Sequence, residues 1–138
     1  MISTGPVEDR LMIRELVESY NDAVMRFDAG AWGANWTDDA VWNLPGAGDM
    51  TGKPTIVAAW QQAMSAFSFV GFFASAGPIT VTGETATGTW YQQEFLHQKD
   101  GVKRTITGKY TDSYVKQNGR WLFTKRIYEI LDAQQSDG

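Results

Sequence analysis

Hydrophobic residues in the first half of the chain recur every three or four positions, which is the spacing of an amphipathic helix. The longest such stretch predicts a helix over residues 6–27, capped by Thr4, with an apolar stripe that includes Tyr20 and Val24. The residue four positions beyond Val24 is Asp28, so the same stripe ends on a carboxylate. Two shorter helices are predicted over residues 31–36 and 54–67.

Alternation of apolar and polar residues takes over in the second half of the chain and predicts strands. They cover residues 70–75, 79–82, 85–98, 102–116 and 120–131, after a short strand over residues 40–44. Glycine-containing turns at residues 99–101 and 117–119 predict two hairpins. Helices followed by strands predict an α+β fold, with helices on one face of an antiparallel sheet. We expect residues 1–138 to form one domain, with a frayed tail over residues 134–138.

The strand over residues 104–116 separates its two faces most clearly. Almost all of its odd positions are polar, whereas its even positions are Ile106, Gly108, Tyr110, Asp112 and Tyr114. The even face is therefore predicted to point to the core. Asp112 is then a carboxylate on an apolar face, where a charge without a partner is rarely tolerated.

Loop length sets the register of the first hairpin. A three-residue loop at residues 99–101 places residues 90, 92 and 94 opposite residues 110, 108 and 106. Trp90, Gln92 and Glu94 then face inward, and Gly108 leaves room beside Gln92. His97 falls on the outer face.

The second hairpin leaves two alternatives open. A two-residue loop at residues 118–119 places Lys125 opposite Asp112 and turns Arg126 outward. A three-residue loop at residues 117–119 places Arg126 opposite Tyr110, facing inward. The residue pattern does not choose between them, because both faces of the last strand mix apolar and charged residues.

The amino-acid composition excludes several classes of catalytic site and binding partner. The 138 residues include no Cys and one His, His97, which excludes thiol nucleophiles and centres rich in Cys or His; we expect no metal and no cofactor. A net charge of −4 argues against binding nucleic acid. No apolar run approaches the roughly 18 residues of a membrane span, and residues 1–10 lack a signal-peptide pattern, so we expect a cytoplasmic protein away from membranes. Aromatic residues reach 13%, which suits a pocket lined with rings.

Four segments in order resemble a known family: SYNDAVMRFDAGAWGANWTDDAVW, GKP at a helix start, GETATG, and GKYTDSYVKQNGRWLFTKR. Together they resemble the SnoaL-like branch of the nuclear transport factor 2-like superfamily, over residues 9–131. The resemblance implies a cone, in which a curved antiparallel sheet wraps around the N-terminal helices and encloses an internal pocket. Relatives include scytalone dehydratase, hexachlorocyclohexane dehydrochlorinase and steroid isomerases, while other members of the superfamily are not enzymes.

The resemblance also implies roles for individual residues. Asp28 is similar to the catalytic Asp of the dehydratase and the dehydrochlorinase, and Arg126 to the pocket Arg of the dehydrochlorinase, which favours an inward Arg126. Tyr20 is similar to the oxyanion-binding Tyr of the isomerases. The catalytic His of the eliminating enzymes corresponds to the strand over residues 70–75, where this chain has Phe72 and Phe73.

We therefore hypothesise a cofactor-free enzyme of lyase or isomerase type that uses acid–base catalysis on a small, largely apolar cyclic compound. The catalytic candidates are Asp28 as base, Arg126 as its charged partner, Asp112 as general acid and Tyr20 as hydrogen-bond donor. The substrate-binding candidates are Val24, Trp42, Trp60, Phe73, Trp90, Gln92, Glu94, Tyr110 and Tyr128.

The alternative hypothesis is a non-catalytic protein of the same fold that binds a small molecule or takes part in an assembly. The absence of the family's His supports this alternative. In either case we expect a homodimer or homotrimer, because Tyr91, Phe95 and His97 fall on the outer face of the sheet.

Overall fold

A computed structural model describes residues 2–137. Three helices are α1 (Val7–Met25), α2 (Ala29–Gly33) and α3 (Lys53–Met64). The six strands are β1 (Trp36–Leu44), β2 (Gly48–Thr51), β3 (Phe67–Thr82), β4 (Thr85–Gln98), β5 (Lys103–Gln117) and β6 (Arg120–Ser136). Among the described residues, no helix combines the length and the apolar character needed to cross a membrane.

The strands form one curved, unclosed sheet in the order β2-β1-β6-β5-β4-β3. This confirms the predicted α+β fold with helices against the sheet. One pair, β1 with β6, runs parallel, and the other four pairs run antiparallel. The parallel pair is possible because α3 and four strands separate β1 from β6 along the chain.

Helix α1 lies against the inner face of the sheet and buries the apolar stripe that its spacing predicted. Ile13, Val17, Tyr20 and Val24 are each at most 1% exposed. Tyr20 reaches the centre of the core, where its ring lies 5.3 Å from that of Trp32 and 5.4 Å from that of Phe123 (centroid to centroid). The interior of the fold is thus built largely from aromatic rings.

Several predicted boundaries were wrong for identifiable reasons. β6 continues to Ser136, because its last residues pair with the start of β5, so the predicted fraying over residues 134–136 is not observed. β3 is continuous, because the chain crosses residues 77–78 with an irregularity in register rather than a break. Thr4 does not cap α1; it forms a bridge with Thr80.

Candidate active site

A buried charge pair lies on the inner face of the sheet, between β5 and β6. Arg126 donates to both carboxylate oxygens of Asp112, from Nε at 2.8 Å and from Nη2 at 3.1 Å. Both side chains are 0% exposed. The hydroxyl of Tyr114 donates a third hydrogen bond to Asp112 at 2.7 Å, and the indole of Trp90 donates to that hydroxyl at 3.0 Å. Burial raises the pKa of Asp112, and the bonds from Arg126 and Tyr114 oppose that rise.

Three aromatic rings surround the guanidinium of Arg126. Its Cζ lies 3.6 Å from the ring centroid of Tyr110, 4.3 Å from that of Phe123 and 4.6 Å from that of Tyr20. Burial alone would lower the pKa of Arg126, but the adjacent Asp112 raises it, so the guanidinium keeps its charge. Its Nη1 atom is buried and has no hydrogen-bond partner among the described residues.

A β-bulge sets the position of Arg126, and neither predicted register of the second hairpin was right. The turn itself is the two-residue one, since Gln117 pairs with Arg120. Between Phe123 and Lys125 the register shifts, and Thr124 has no partner in β5. This extra residue turns Arg126 inward, opposite Asp112, whereas the uninterrupted two-residue register would have turned it outward.

A second polar pair, Glu94 with Tyr128, lies farther along the same face. The Tyr128 hydroxyl donates a short hydrogen bond to Glu94. Burial raises the pKa of Glu94, and the bond from Tyr128 moderates the rise. The Tyr128 ring lies over Gly108, where a Cβ atom would come closer than 3.0 Å to it. The space predicted beside Gly108 is therefore filled by Tyr128.

The register of the first hairpin is confirmed, and it explains how Glu94 is positioned. Trp90, Gln92 and Glu94 pair with residues 110, 108 and 106, as the three-residue turn predicts. On its other side Glu94 pairs with Phe72, which faces inward and is 8% exposed. Glu94 thus lies beside the inward-facing phenylalanine of β3, the strand to which the resemblance assigned the family's His.

Asp28 does not contact Arg126; its side chain is 41% exposed. It caps α2 by accepting a hydrogen bond from the backbone N–H of Ala31 at 3.0 Å, and it accepts another from Arg26 at 2.9 Å. These two bonds lower the pKa of Asp28. The predicted pair of Asp28 with Arg126 is wrong, because Arg126 is occupied by Asp112 and α1 ends before it reaches Asp28.

Of the predicted substrate-binding residues, one lies on the outer face of the sheet and the others lie on the inner side of the fold. Phe73 is 55% exposed and packs edge-on against Phe95 on the outer face, so it does not line the interior. β3 alternates, and Phe72 is its inward residue. The other predicted substrate-binding residues are buried or half-buried on the inner side: Val24, Trp42, Trp60, Trp90, Gln92, Glu94, Tyr110 and Tyr128.

Three aromatic residues of the interior were absent from the predicted site, although Tyr114 was predicted to face the core. Tyr114 orients Asp112, and the fully buried Trp32 and Trp36 pack against Tyr20 and against each other. Trp32 lies in α2 and Trp36 begins β1, so no single helical or strand period in the sequence links the two rings. The structure also shows a cleft of about 280 Å³ between α3, the junction of α1 and α2, and the turn that joins β4 to β5. It is lined by Phe27, Ala29, Trp60, Gln61, Met64, Ser65, Phe67 and Lys99.

Comparisons with known proteins agree with this architecture. The family model of the SnoaL-like domain matches residues 6–127. A search of curated proteins gives no match. A candidate aromatic ring hydroxylase from Novosphingobium aromaticivorans is similar in structure, with a TM-score of 0.89, 25% identity and 96% of each chain covered.

Two further solved structures show the same fold at lower identity. A type 3 hexachlorocyclohexane dehydrochlorinase from Novosphingobium barchaimii has a TM-score of 0.85 and 18% identity, with 96% of this chain and 92% of that chain covered. A candidate scytalone dehydratase from Novosphingobium aromaticivorans has a TM-score of 0.86 and 16% identity, with 93% and 87% covered.

Proposed function

The chain belongs to the SnoaL-like domain family, and from that premise we propose that it is a cofactor-free enzyme of lyase or isomerase type. It acts by acid–base catalysis on a small, largely apolar ring compound. Proteins of the same fold include a dehydrochlorinase and a candidate scytalone dehydratase, and both names describe eliminations. The observation that carries the proposal is Glu94, a half-buried carboxyl group with a raised pKa and a phenol partner, on the inner face of an aromatic cone.

Glu94 is the proposed proton-transferring residue. A carboxyl group serves best as acid or base when its pKa approaches the working pH, and burial moves Glu94 in that direction. Asp28, in contrast, has a lowered pKa and two bonds that fix it at the surface. We therefore assign proton transfer to Glu94 and treat Asp28 as a second candidate base at the rim.

A line of phenols connects Glu94 to the charge pair. Tyr128 contacts Glu94 directly, and its ring lies 4.6 Å from that of Tyr110. The Tyr110 and Tyr20 hydroxyls are 3.5 Å apart, and burial raises the pKa of both phenols, so both keep their protons. These hydroxyls can donate hydrogen bonds to negative charge that develops on a substrate oxygen, and Arg126 supplies a fixed positive charge behind them.

The test compares Glu94→Gln with a matched control on the same sheet. Glu129→Gln removes an exposed carboxylate beside Tyr128 and leaves the interior unchanged. Cyclic chlorides, cyclic β-hydroxy ketones and cyclic enones are incubated with each protein, and products are separated by chromatography and identified by mass spectrometry and NMR. We expect turnover in one class, lowered about 10²-fold or more by Glu94→Gln and unchanged by Glu129→Gln. Equal turnover in Glu94→Gln would refute the assignment of Glu94.

The alternative, a binding protein without catalysis, is favoured by one observation. Phe72, which cannot transfer protons, is the inward residue of the segment over residues 70–75, in which the resemblance placed the family's His. A compound from the panel that binds stoichiometrically and is recovered unchanged at every pH between 4 and 9 would support this alternative.

We also propose that the outer face of the sheet mediates self-association. Phe69, Phe73, Tyr91 and Phe95 lie there and are 47%, 55%, 47% and 37% exposed, so they form an unusually aromatic surface. Light scattering during size-exclusion chromatography is expected to give a dimer or trimer. Phe73→Ser should shift it toward the monomer, and a wild-type monomer at all concentrations would contradict the proposal.

A further inference from the structure

An open groove of about 300 Å³ lies between α1 and the start of β6. One wall is a single stripe of α1, whose positions are spaced by three and four. The other wall comes from the first two residues of β6, and the residue before β1 also lines the groove. The lining residues are Met12, Glu15, Leu16, Ser19, Asn35, Arg120 and Trp121. None of them belongs to the candidate active site, so a ligand held here would occupy a second site.

An ion pair and a hydrogen bond hold the two walls of the groove together. Asp9, in the first turn of α1, accepts from the Trp121 indole at 3.0 Å and from Lys116 Nζ at 3.1 Å. These two bonds lower the pKa of Asp9, so its carboxylate stays ionised and both contacts persist at neutral pH. The groove is therefore formed before any ligand arrives, as is usual for small-molecule sites.

A buried amide gives the groove a fixed hydrogen-bond acceptor. Asn35 is 3% exposed, and its Nδ2 donates to the backbone carbonyls of Ala31 and Trp32, at 3.3 Å each. Its backbone N–H donates to Trp32, and its backbone carbonyl accepts from Phe123. These bonds use every other polar atom of Asn35 and leave Oδ1 to accept from a group in the groove. The amide cannot rotate without breaking its bonds to α2, so the position of this oxygen is set.

Glu15 and Arg120, on opposite walls, bring charges of opposite sign to the groove. Within residues 2–137, neither of them takes part in an ion pair. Lys116, by contrast, is compensated by Asp9. The groove therefore offers a ligand one carboxylate and one guanidinium that no ion pair of the protein occupies, and charge-assisted hydrogen bonds to such groups are the strong ones.

This arrangement of donors and acceptors matches an α-amino acid. An ammonium group carries three donors, and the acceptors available to it are the Glu15 carboxylate, Asn35 Oδ1 and the Ser19 hydroxyl. A carboxylate matches the planar fork of the Arg120 guanidinium. We propose that this groove, which we call the α1–β6 groove, binds a free amino acid with an apolar side chain.

The apolar residues and the volume of the α1–β6 groove define which amino acids fit. Leu16 and Trp121 are 6% and 3% exposed, and Met12 packs against the core with them, so together they offer an apolar surface to a side chain. The volume of about 300 Å³ is at the small end of ligand pockets, which suits one amino acid better than a peptide. The inference is independent of the proposed function, because none of these residues transfers protons in it.

The test compares leucine with two analogues that each lack one charged group. Leucinamide keeps the ammonium group and the side chain but has no carboxylate, whereas 4-methylpentanoate keeps the carboxylate and has no ammonium group. Binding at neutral pH is followed by calorimetry and by the NMR shift of the Trp121 indole N–H. We expect leucine to bind at least about tenfold tighter than either analogue.

Two exposed charges of the groove can be removed one at a time without changing the core. Glu15→Gln should weaken leucine binding about tenfold and leave 4-methylpentanoate within about twofold, since that analogue has no ammonium group. Arg120→Gln should weaken leucine binding to a similar extent and leave leucinamide within about twofold. Glu18→Gln and Lys103→Gln are the controls, because they remove exposed charges that do not line the groove.

The pattern across compounds separates direct contacts from a disturbed fold, which would weaken all three. No binding of leucine, or equal affinity for leucine and 4-methylpentanoate, would overturn the proposal. So would unchanged leucine affinity in both Glu15→Gln and Arg120→Gln, because the compound would then bind elsewhere. Leucine binding should persist in Glu94→Gln, since Glu94 does not line the groove, and its loss there would identify the interior as the site instead.

Discussion

Replacing Asp112 with asparagine would leave the guanidinium of Arg126 buried without a counter-charge. Asparagine has nearly the same shape, but its amide accepts on one atom only, so one of the two bonds at 2.8 and 3.1 Å is lost. Both side chains are 0% exposed, so water cannot replace the missing acceptor. Breaking a buried pair in this way costs about 3–5 kcal/mol.

Urea unfolding followed by tryptophan fluorescence measures this loss directly. With a slope of about 2 kcal/mol per molar urea, the midpoint of Asp112→Asn should fall by about 2 M. The exposed pair of Asp22 with Arg26 provides the control, because its side chains are 66% and 52% exposed. Asp22→Asn should change the free energy of unfolding by less than about 1 kcal/mol.

A double replacement separates the charge from the packing. Asp112→Leu combined with Arg126→Met removes both charges and retains much of the volume, and should be neutral or stabilising by about 1–4 kcal/mol. If Asp112→Asn lowers stability by less than about 1 kcal/mol, the interior compensates the Arg126 charge in another way and the reasoning fails. The three rings around the guanidinium would then be the first explanation to examine.

Three further predictions follow from the local geometry. Gly108→Ala should lower the free energy of unfolding by about 1–3 kcal/mol, because the added Cβ displaces Tyr128. Gly30→Ala is the control, because its Cβ would meet only one atom, at 3.7 Å, and should leave stability unchanged. Thermal unfolding of both variants tests this difference. Phe27→Gly should raise stability by about 1 kcal/mol in urea unfolding, because it relieves the left-handed strain; a decrease would contradict this. The raised pKa of Glu94 favours folding below pH 4.5, and this contribution is lost as pH rises through the folded pKa. The advantage of Glu94→Gln in melting temperature should therefore grow from pH 4.5 to 8, and a constant difference would refute the raised pKa.

The sequence predicted most of the fold because each main element carried a local signal. α1 has an uninterrupted apolar stripe, and the register of β4 with β5 follows from a three-residue turn in which Gly101 has a φ of +96°. Such signals depend only on neighbouring residues, and tertiary contacts do not override them in the folded protein. The end of β6 had no such signal, since its last residues are polar and are held only by pairing with β5.

The candidate site was predicted only in part, because two of its determinants are not local. The inward direction of Arg126 depends on the bulge at Thr124, which no glycine or proline marks. The partner of Arg126 depends in turn on that register, so Asp28 was paired with it on resemblance alone. The family positions identified a relevant Arg and Asp, but tertiary structure decided which carboxylate meets the Arg.

The opposite environments of Asp28 and Glu94 allow kinetics to decide which of them transfers the proton. The pKa of Asp28 is lowered from its ordinary value of 3.8, so a reaction that uses Asp28 as base should show no pH-dependent change in rate above pH 4. Glu94 has a raised pKa, so its titration falls above pH 4.5. A rate that rises with pH through that range would identify Glu94 as a base, and a rate that falls would identify it as an acid. Either pH dependence of the rate should disappear in Glu94→Gln and persist in Asp28→Asn. The reverse result would identify Asp28, and not Glu94, as the residue that transfers the proton.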